Sequence, residues 1–262
     1  MSLSEQLAVN LPFLRRYARA LTGSQMSGDN FVRATLEAAL ADDELKASLA
    51  AGRVALYRAF TALWSSTESV MAAGHVSGHE EQAQQRLGSI TPLNRQALLL
   101  TTLEDFTPAE TAEILGLDEG EVSELVQSAI GEIEREAATD VLIIEDEPLI
   151  SMQLEDLVTS LGHKIFGTAA TRTQAQEAIA DAKPGLVLAD IQLADGSSGL
   201  DAVDDILKFG DVPVVFITAY PERLLTGDRA EPTYLVTKPF QEKTVRTAIS
   251  QALFFDSSKP VA

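Results

Sequence analysis

Five residues able to do chemistry stand directly behind short apolar runs in the second half of the chain. Glu145 and Asp146 follow "VLII", Asp190 follows "LVLA", Thr218 follows "VVFI", and Lys238 follows "YLVT", with Glu147 next to the first pair. Carboxylates packed together repel one another and resist ionisation. A divalent cation relieves that repulsion, and Mg²⁺ suits it best, since it takes hard oxygen ligands, keeps several waters and is commonly held by one or two carboxylates plus phosphate oxygens. Within such a cluster Asp190 is the candidate nucleophile toward a phosphoryl group. The metal and Lys238 would neutralise charge on the equatorial oxygens, and Thr218 would hydrogen-bond the product.

The elements that must position these groups are legible as well. "VLIIE", "KIFGTA", "GLVLAD", "VPVVFITA" and "TYLVT" are β-branched or apolar runs of strand length, and helical segments separate most of them. Strands alternating with helices predict a parallel sheet covered on both faces. In such a sheet ligands bind beyond the C-terminal strand ends. All five residues fall there, in order along successive strands.

The first half of the chain reads as helices alone. "LPFLRRYARALTG", "DNFVRATLEAAL" and "LKASLAAGRVALYRAFTALW" carry helical apolar spacing. Residues 65–89, beginning "SSTESVMAAGHVSGHEE", are rich in Ser, Gly, His and Glu and read as a linker with room for a short helix. His75 and His79 lie four apart there, but no further nitrogen or sulfur ligand is near them in sequence. Helices resume at "TPLNRQALLL", where Thr91 is the expected cap, Pro92 the first helical position, and Leu93, Ala97 and Leu98 the inward face. Thr107 and Glu110 then form a capping box around Pro108, Gly116 stops that helix, and Asp118 with Glu121 opens another. Val122, Leu125, Val126, Ala129, Ile130 and Ile133 make one apolar stripe on this last helix.

Two helices meeting at a glycine turn have the outline of a DNA-reading helix-turn-helix, whose second helix enters the major groove while cations hold the phosphates. The charge is wrong for that. Glu119, Glu121, Glu124 and Glu132 lie off the stripe, Glu134 and Glu136 follow, and Arg135 is the only cation from Leu117 onward in that helix. Residues 65–139 carry fourteen acidic and three basic residues, against six and seven in residues 1–64 and nineteen and ten in residues 140–262.

Composition bounds the remaining possibilities. The 262 residues, 45% hydrophobic and 23% charged, fit about two domains at roughly 150 residues each. With no cysteine there are no disulfides, thiolate metal sites or thiol nucleophiles. No basic segment followed by an apolar run opens the chain, and no stretch of about 18 apolar residues occurs, so a cytoplasmic location without membrane contact is expected. A net charge of −19 argues against nucleic acid as the main partner.

At "VLIIEDEPLI", "LVLADIQLADGSSGLDAV", "FITAYPERLL" and "VTKPF" the chain resembles the receiver domains of response regulators. The resemblance covers residues 140–256 and implies a flavodoxin-like α/β fold with strand order 2-1-3-4-5. It further implies Mg²⁺ held by Glu145, Asp146, Asp190 and the Gln192 carbonyl, Asp190 as phosphoacceptor, and Thr218 and Lys238 as phosphate sensors. Many receivers carry an aromatic three residues before the lysine, but here that residue is Leu235, with Tyr234 one earlier. "FITAY" is similar to a receiver subfamily that places its switching aromatic at Tyr220.

The helical half resembles extracytoplasmic-function sigma factors: "LPFLRRYARALTG" (within residues 1–64) their promoter-opening region, and "ITPLNRQALLL" onward (residues 90–137) their promoter-reading region. Sigma-like helices ahead of a receiver resemble the PhyR-type general stress response regulators of alphaproteobacteria. That resemblance implies an anti-anti-sigma factor, not an enzyme. It takes its phosphoryl group from a sensor histidine kinase or phosphotransfer protein and then titrates a small anti-sigma factor by sigma mimicry. At rest its receiver is expected to occlude the surface that the anti-sigma factor needs. A decoy need not bind DNA, so glutamates where a sigma factor needs cations are tolerated and keep it off promoters. The rival readings are a DNA-binding response regulator or true sigma factor using Arg15, Arg16, Arg19, Arg53 and Arg58, and an RNA-binding antiterminator, for which no basic stripe with interleaved aromatics is present.

Overall fold

The computed structural model describes residues 3–73, 92–133, 137–193, 196, 198–208, 212–219, 221 and 232–257. The chain divides into two compact units, Met1–Gly131 and Glu132–Ala262.

The first unit is helical: α1 (Leu3–Thr22), α2 (Gln25–Ala41), α3 (Asp43–Leu49), α4 (Arg53–Ala73), α5 (Leu93–Thr102), α6 (Pro108–Leu115) and α7 (Glu119–Ile133). Its core is built on interlocking aromatic rings, one pair tilted and two edge to face. Tyr17 of α1 meets Tyr57 and Phe60 of α4 at 5.4 and 5.8 Å, and Phe31 meets Trp64 at 4.8 Å. Burying each such ring contributes about 1.5–3 kcal/mol. Helices α1 and α2 cross closely at Gly28, where a Cβ would stand 2.6 Å from the Arg19 backbone nitrogen. Beside the crossing, Asp29 accepts two hydrogen bonds from each of two guanidiniums, at 3.2 and 3.1 Å from Arg15 and 2.9 and 2.8 Å from Arg19.

Several local expectations hold here. Thr107 and Glu110 form a reciprocal capping box, Gly116 closes α6 with φ 71°, and Asp118 and Glu121 exchange hydrogen bonds of 2.9 and 2.8 Å at the start of α7. Two others do not. The stretch "LKASLAAGRVALYRAFTALW" is two helices, because the chain turns at Gly52 with φ 112°, a left-handed conformation that glycine adopts without steric cost. Helix α4 continues to Ala73, into residues 65–89, where the sequence left room for a short helix. Leu93, the first residue of α5, is 43% exposed, whereas Ala97 and Leu98 are buried, as are Asn94, Arg95 and Gln96 between them. Thr91, His75 and His79 lie outside the described residues.

The second unit is the expected α/β layer: β1 (Asp140–Ile144), α8 (Pro148–Ser160), β2 (Lys164–Ala169), α9 (Arg172–Ala178), β3 (Leu186–Asp190), α10 (Gly199–Leu207), β4 (Val214–Thr218), β5 (Tyr234–Thr237) and α11 (Glu242–Ser257). The sheet is parallel throughout, in the order β2-β1-β3-β4-β5. Its central strands are closed on both faces, with Val141–Ile144 and Leu186–Leu188 fully buried and Ala189 nearly so. This matches their unbroken apolar sequences. Helices α9 and α10 are tied together by Asp205, which accepts from Arg172, Gln176 and Lys208 at 2.7, 2.6 and 2.7 Å.

Candidate functional site

Adjacent parallel strands bring their C-terminal ends to one edge. Ile144 is the last residue of β1, Asp190 the last of β3 and Thr218 the last of β4, and Lys238 comes directly after β5. The register carries this alignment across the sheet, pairing Ile144 with Ala189, Asp190 with Ile217, and Thr218 with Thr237. The backbone N–H of Lys238 donates to the Thr218 carbonyl at 2.7 Å, fixing the point from which the lysine reaches across.

Lys238 organises the pocket. Its Nζ donates to Glu145 Oε2 and Asp190 Oδ2, both at 2.8 Å, and lies 3.7 Å from Glu147 Oε1. The other Asp190 oxygen, Oδ1, accepts the backbone N–H of Ile191 at 2.5 Å and of Gln192 at 3.3 Å. The aspartate is therefore held at both oxygens, by amides of its own loop on one side and by the ammonium on the other. That loop is drawn tight behind it. Gln192 bridges to Ser198, and Gly199 N donates to the Ile191 carbonyl at 2.9 Å. A Cβ on Gly199 would fall 1.7 Å from the Asp190 carbonyl oxygen, so only glycine fits where α10 begins.

Burial shapes the electrostatics. It pushes the Glu145 carboxyl above the usual carboxylate range, against the pull of Lys238. Burial also opposes the charge on Lys238, yet its hydrogen bonds to Asp190 and Glu145 more than offset this and hold the ammonium above its ordinary pKa. Thr218 is buried at the same edge, at 2% exposure.

Ligand oxygens of Glu145, Glu147 and Asp190 lie within 4.8 Å of one another. Three carboxylates against one ammonium leave an all-oxygen pocket with surplus negative charge, a donor set that fits a hard divalent cation. The structure thus brings together Glu145, Asp190 and Lys238 as the sequence predicts. It adds Glu147, an exposed residue that the Lys238 ammonium faces, to the carboxylate group. Asp146, the expected ligand, is half-buried beside that group and outside it, and Gln192 is exposed on the loop after Asp190. Tyr220 lies outside the described residues, while Tyr234 is buried in β5 at 7% exposure and Leu235 at 1%.

The helical unit adds a second polar cluster, one that sequence reasoning did not single out. Glu104, just past α5, has a fully buried side chain and receives Arg16, Arg53 and Tyr57. Of the five arginines that kept a DNA-binding reading open, each engages a carboxylate: Arg15 and Arg19 on Asp29, Arg16 and Arg53 on Glu104, and Arg58 on Glu113.

Comparison with known proteins covers almost the whole chain. Residues 7–61 match the family described as the sigma2 domain of PhyR, residues 87–136 the response regulator PhyR sigma-like domain, and residues 141–250 the response regulator receiver domain. The phyllosphere-induced regulator PhyR of Methylorubrum extorquens is 52% identical over 98% of this chain and 97% of its own length. Among solved structures, the response regulator PhyR from Brucella abortus is 49% identical with a TM-score of 0.86, covering 98% of this chain and 96% of that one. The anti-anti-sigma factor PhyR from Bartonella quintana is 48% identical with a TM-score of 0.85, covering 98% and 97%.

Proposed function

Because the chain belongs to the PhyR family of response regulators, we propose that it takes a phosphoryl group on Asp190 and, in that state, sequesters a small anti-sigma factor on its sigma-like helices. An extracytoplasmic-function sigma factor is thereby freed for general stress transcription. One observation carries the reading: a phosphoacceptor-type pocket shares a chain with sigma-like helices in which Arg15, Arg16, Arg19, Arg53 and Arg58 are each engaged by a carboxylate. A surface of that kind can be recognised as a sigma factor by an inhibitor without competing for phosphate backbones. The working parts are residues 1–64 and 90–137 as the two sigma-like pieces, joined by residues 65–89, and residues 140–256 as the receiver. The same reading makes the chain a binding switch, not an enzyme, that works in the cytoplasm.

In the transfer step, an Asp190 carboxylate oxygen bonds to phosphorus as the P–N bond of a phosphohistidine donor breaks. The donor is a sensor histidine kinase or a phosphotransfer protein. The amides of Ile191 and Gln192 and the Lys238 ammonium hold the carboxylate in place for attack. Lys238 stays paired with the transferred oxygens, and Thr218 closes on them from β4. Glu145, Asp146, Asp190 and the Gln192 carbonyl are the residues that would hold Mg²⁺, with Glu147 as a further oxygen donor. When bound, the ion supplies positive charge to the phosphoryl oxygens. Tyr220 is the aromatic that would respond to the movement of Thr218.

Full-length protein, with and without a small phosphodonor and Mg²⁺, tests the reading when titrated with an anti-sigma factor from the same cell. Donor treatment should add one phosphate by mass and tighten binding. Asp190→Ala should show neither effect. A phosphate adduct that persists in Asp190→Ala, or equal affinity with and without donor, overturns the proposal.

A further inference from the structure

The Glu104 cluster joins two parts of the helical unit that are far apart in sequence. The chain leaves α5, passes Asp105 in a left-handed turn with φ 53°, and so directs Glu104 and Phe106 onto α1 and α4. Both oxygens of the Glu104 carboxylate are then taken up. Oε1 accepts from Arg16 Nε at 3.0 Å and pairs with Arg16 Nη2 at 2.9 Å, while Oε2 accepts from Arg53 at 2.8 Å and from the Tyr57 hydroxyl at 2.8 Å. Arg16 also donates to the Leu103 carbonyl at 2.7 Å. The Arg53 guanidinium lies 4.2 Å over the Phe106 ring, and Phe106 meets Tyr57 edge to face at 4.8 Å. Arg58 and Glu113 add an exposed contact at 3.1 Å.

We infer that Glu104 is a pin that holds the two sigma-like pieces together as one body of fixed geometry. Apolar packing alone is non-directional and tolerates sliding. A buried carboxylate gripped by two guanidiniums and a phenol does not, because any slip strands charge away from water. Fixing a register in this way is the best-attested use of a buried ionic group.

Two functional consequences follow. A promoter-bound sigma factor must set two modules on two separate stretches of DNA, and pinned pieces cannot spread to do so. Resting on the sigma-mimic reading above, the pin also presents an anti-sigma factor with one preformed composite surface, which spares the cost of ordering two pieces on binding.

The chain has no native cysteine, so spin labels can be placed without background. Leu40→Cys on α2 and Glu124→Cys on α7 are exposed positions for pulsed distance measurements in the full chain. The parent should give one narrow distance distribution. Glu104→Gln should broaden it at unchanged helix content by circular dichroism. Arg53→Gln, at a third-exposed side chain, should broaden it less. If Glu104→Gln loses helix content, Arg53→Gln decides alone. A broad distribution in the parent, or narrow ones in the folded variants, overturns the pin. In the same samples anti-sigma affinity should fall about tenfold if a tenth of molecules keep the pinned geometry, with phosphate uptake by mass unchanged. Failure of the parent to bind an anti-sigma factor would strike the mimicry reading and leave the distance result standing.

Discussion

Asp190 is aimed by its surroundings from three directions: the amides of its own loop, the Lys238 ammonium, and the start of α10 pressed against its carbonyl. The last of these gives the sharpest residue-level expectation. Gly199→Ala must push the backbone away from Asp190, at a cost of about 1–3 kcal/mol for an overpacked contact. Thermal unfolding should show that loss, and labelling by a phosphodonor should slow. Unchanged melting and labelling would mean that the loop yields freely. The strand-end residues were legible because each ends an apolar run before a polar turn, and parallel pairing then sends them to one edge. That Glu147 lies within 4.8 Å of Glu145 and Asp190 while Asp146 stands outside that group was not legible, since the sequence does not record which neighbouring side chain turns toward the strand edge. Glu104 was less visible still. It stands 47 to 88 residues from its partners and reads in sequence as one more solvated glutamate.

At the scale of elements, α9 and α10 are coupled through Asp205, whose carboxyl is lowered to about 2 by its hydrogen bonds to Lys208 and then Arg172. The sign follows from linkage. A carboxyl depressed in the folded state adds stability that is complete above its ordinary value of 3.8 and fades as pH falls toward 2. The gap in melting temperature between the parent and Asp205→Asn should thus stay constant from neutral pH to about 4 and narrow below it. A gap that widens in acid would refute the assignment. Helix and strand identities along this half were readable from periodicity, and the capping boxes at Thr107 and Asp118 from residue type alone. The break between α3 and α4 was not, because a single glycine in an alanine-rich stretch signals a turn only weakly, and its φ is set by packing.

The whole molecule carries a net charge of −19, and the arginines nearest to a DNA-binding role face Asp29, Glu104 and Glu113. Nucleic-acid affinity scales with phosphates neutralised by free cations. Full-length protein should therefore show negligible binding to a promoter-length duplex near physiological salt, read by fluorescence anisotropy. Submicromolar, salt-sensitive binding would restore the sigma-factor reading. The order of the parts was legible from the switch between helical and alternating patterns. The packing of α1 and α4 on the Glu104 turn was not, since nothing local records which distant helices meet. Among the described residues no helix is long and apolar enough to cross a membrane.

The closed faces of β1 and β3 also set a timescale. With Val141–Ile144 and Leu186–Leu188 sealed from water, their amides can trade hydrogen for deuterium only when the α/β unit opens as a whole. Glu145 and Asp190 thus stand directly behind or at the ends of strands whose amides should exchange slowest in that unit. The strand ends that carry these two carboxylates should therefore keep their places while helix ends and loops open and close, so that each arriving phosphoryl group meets the same pair.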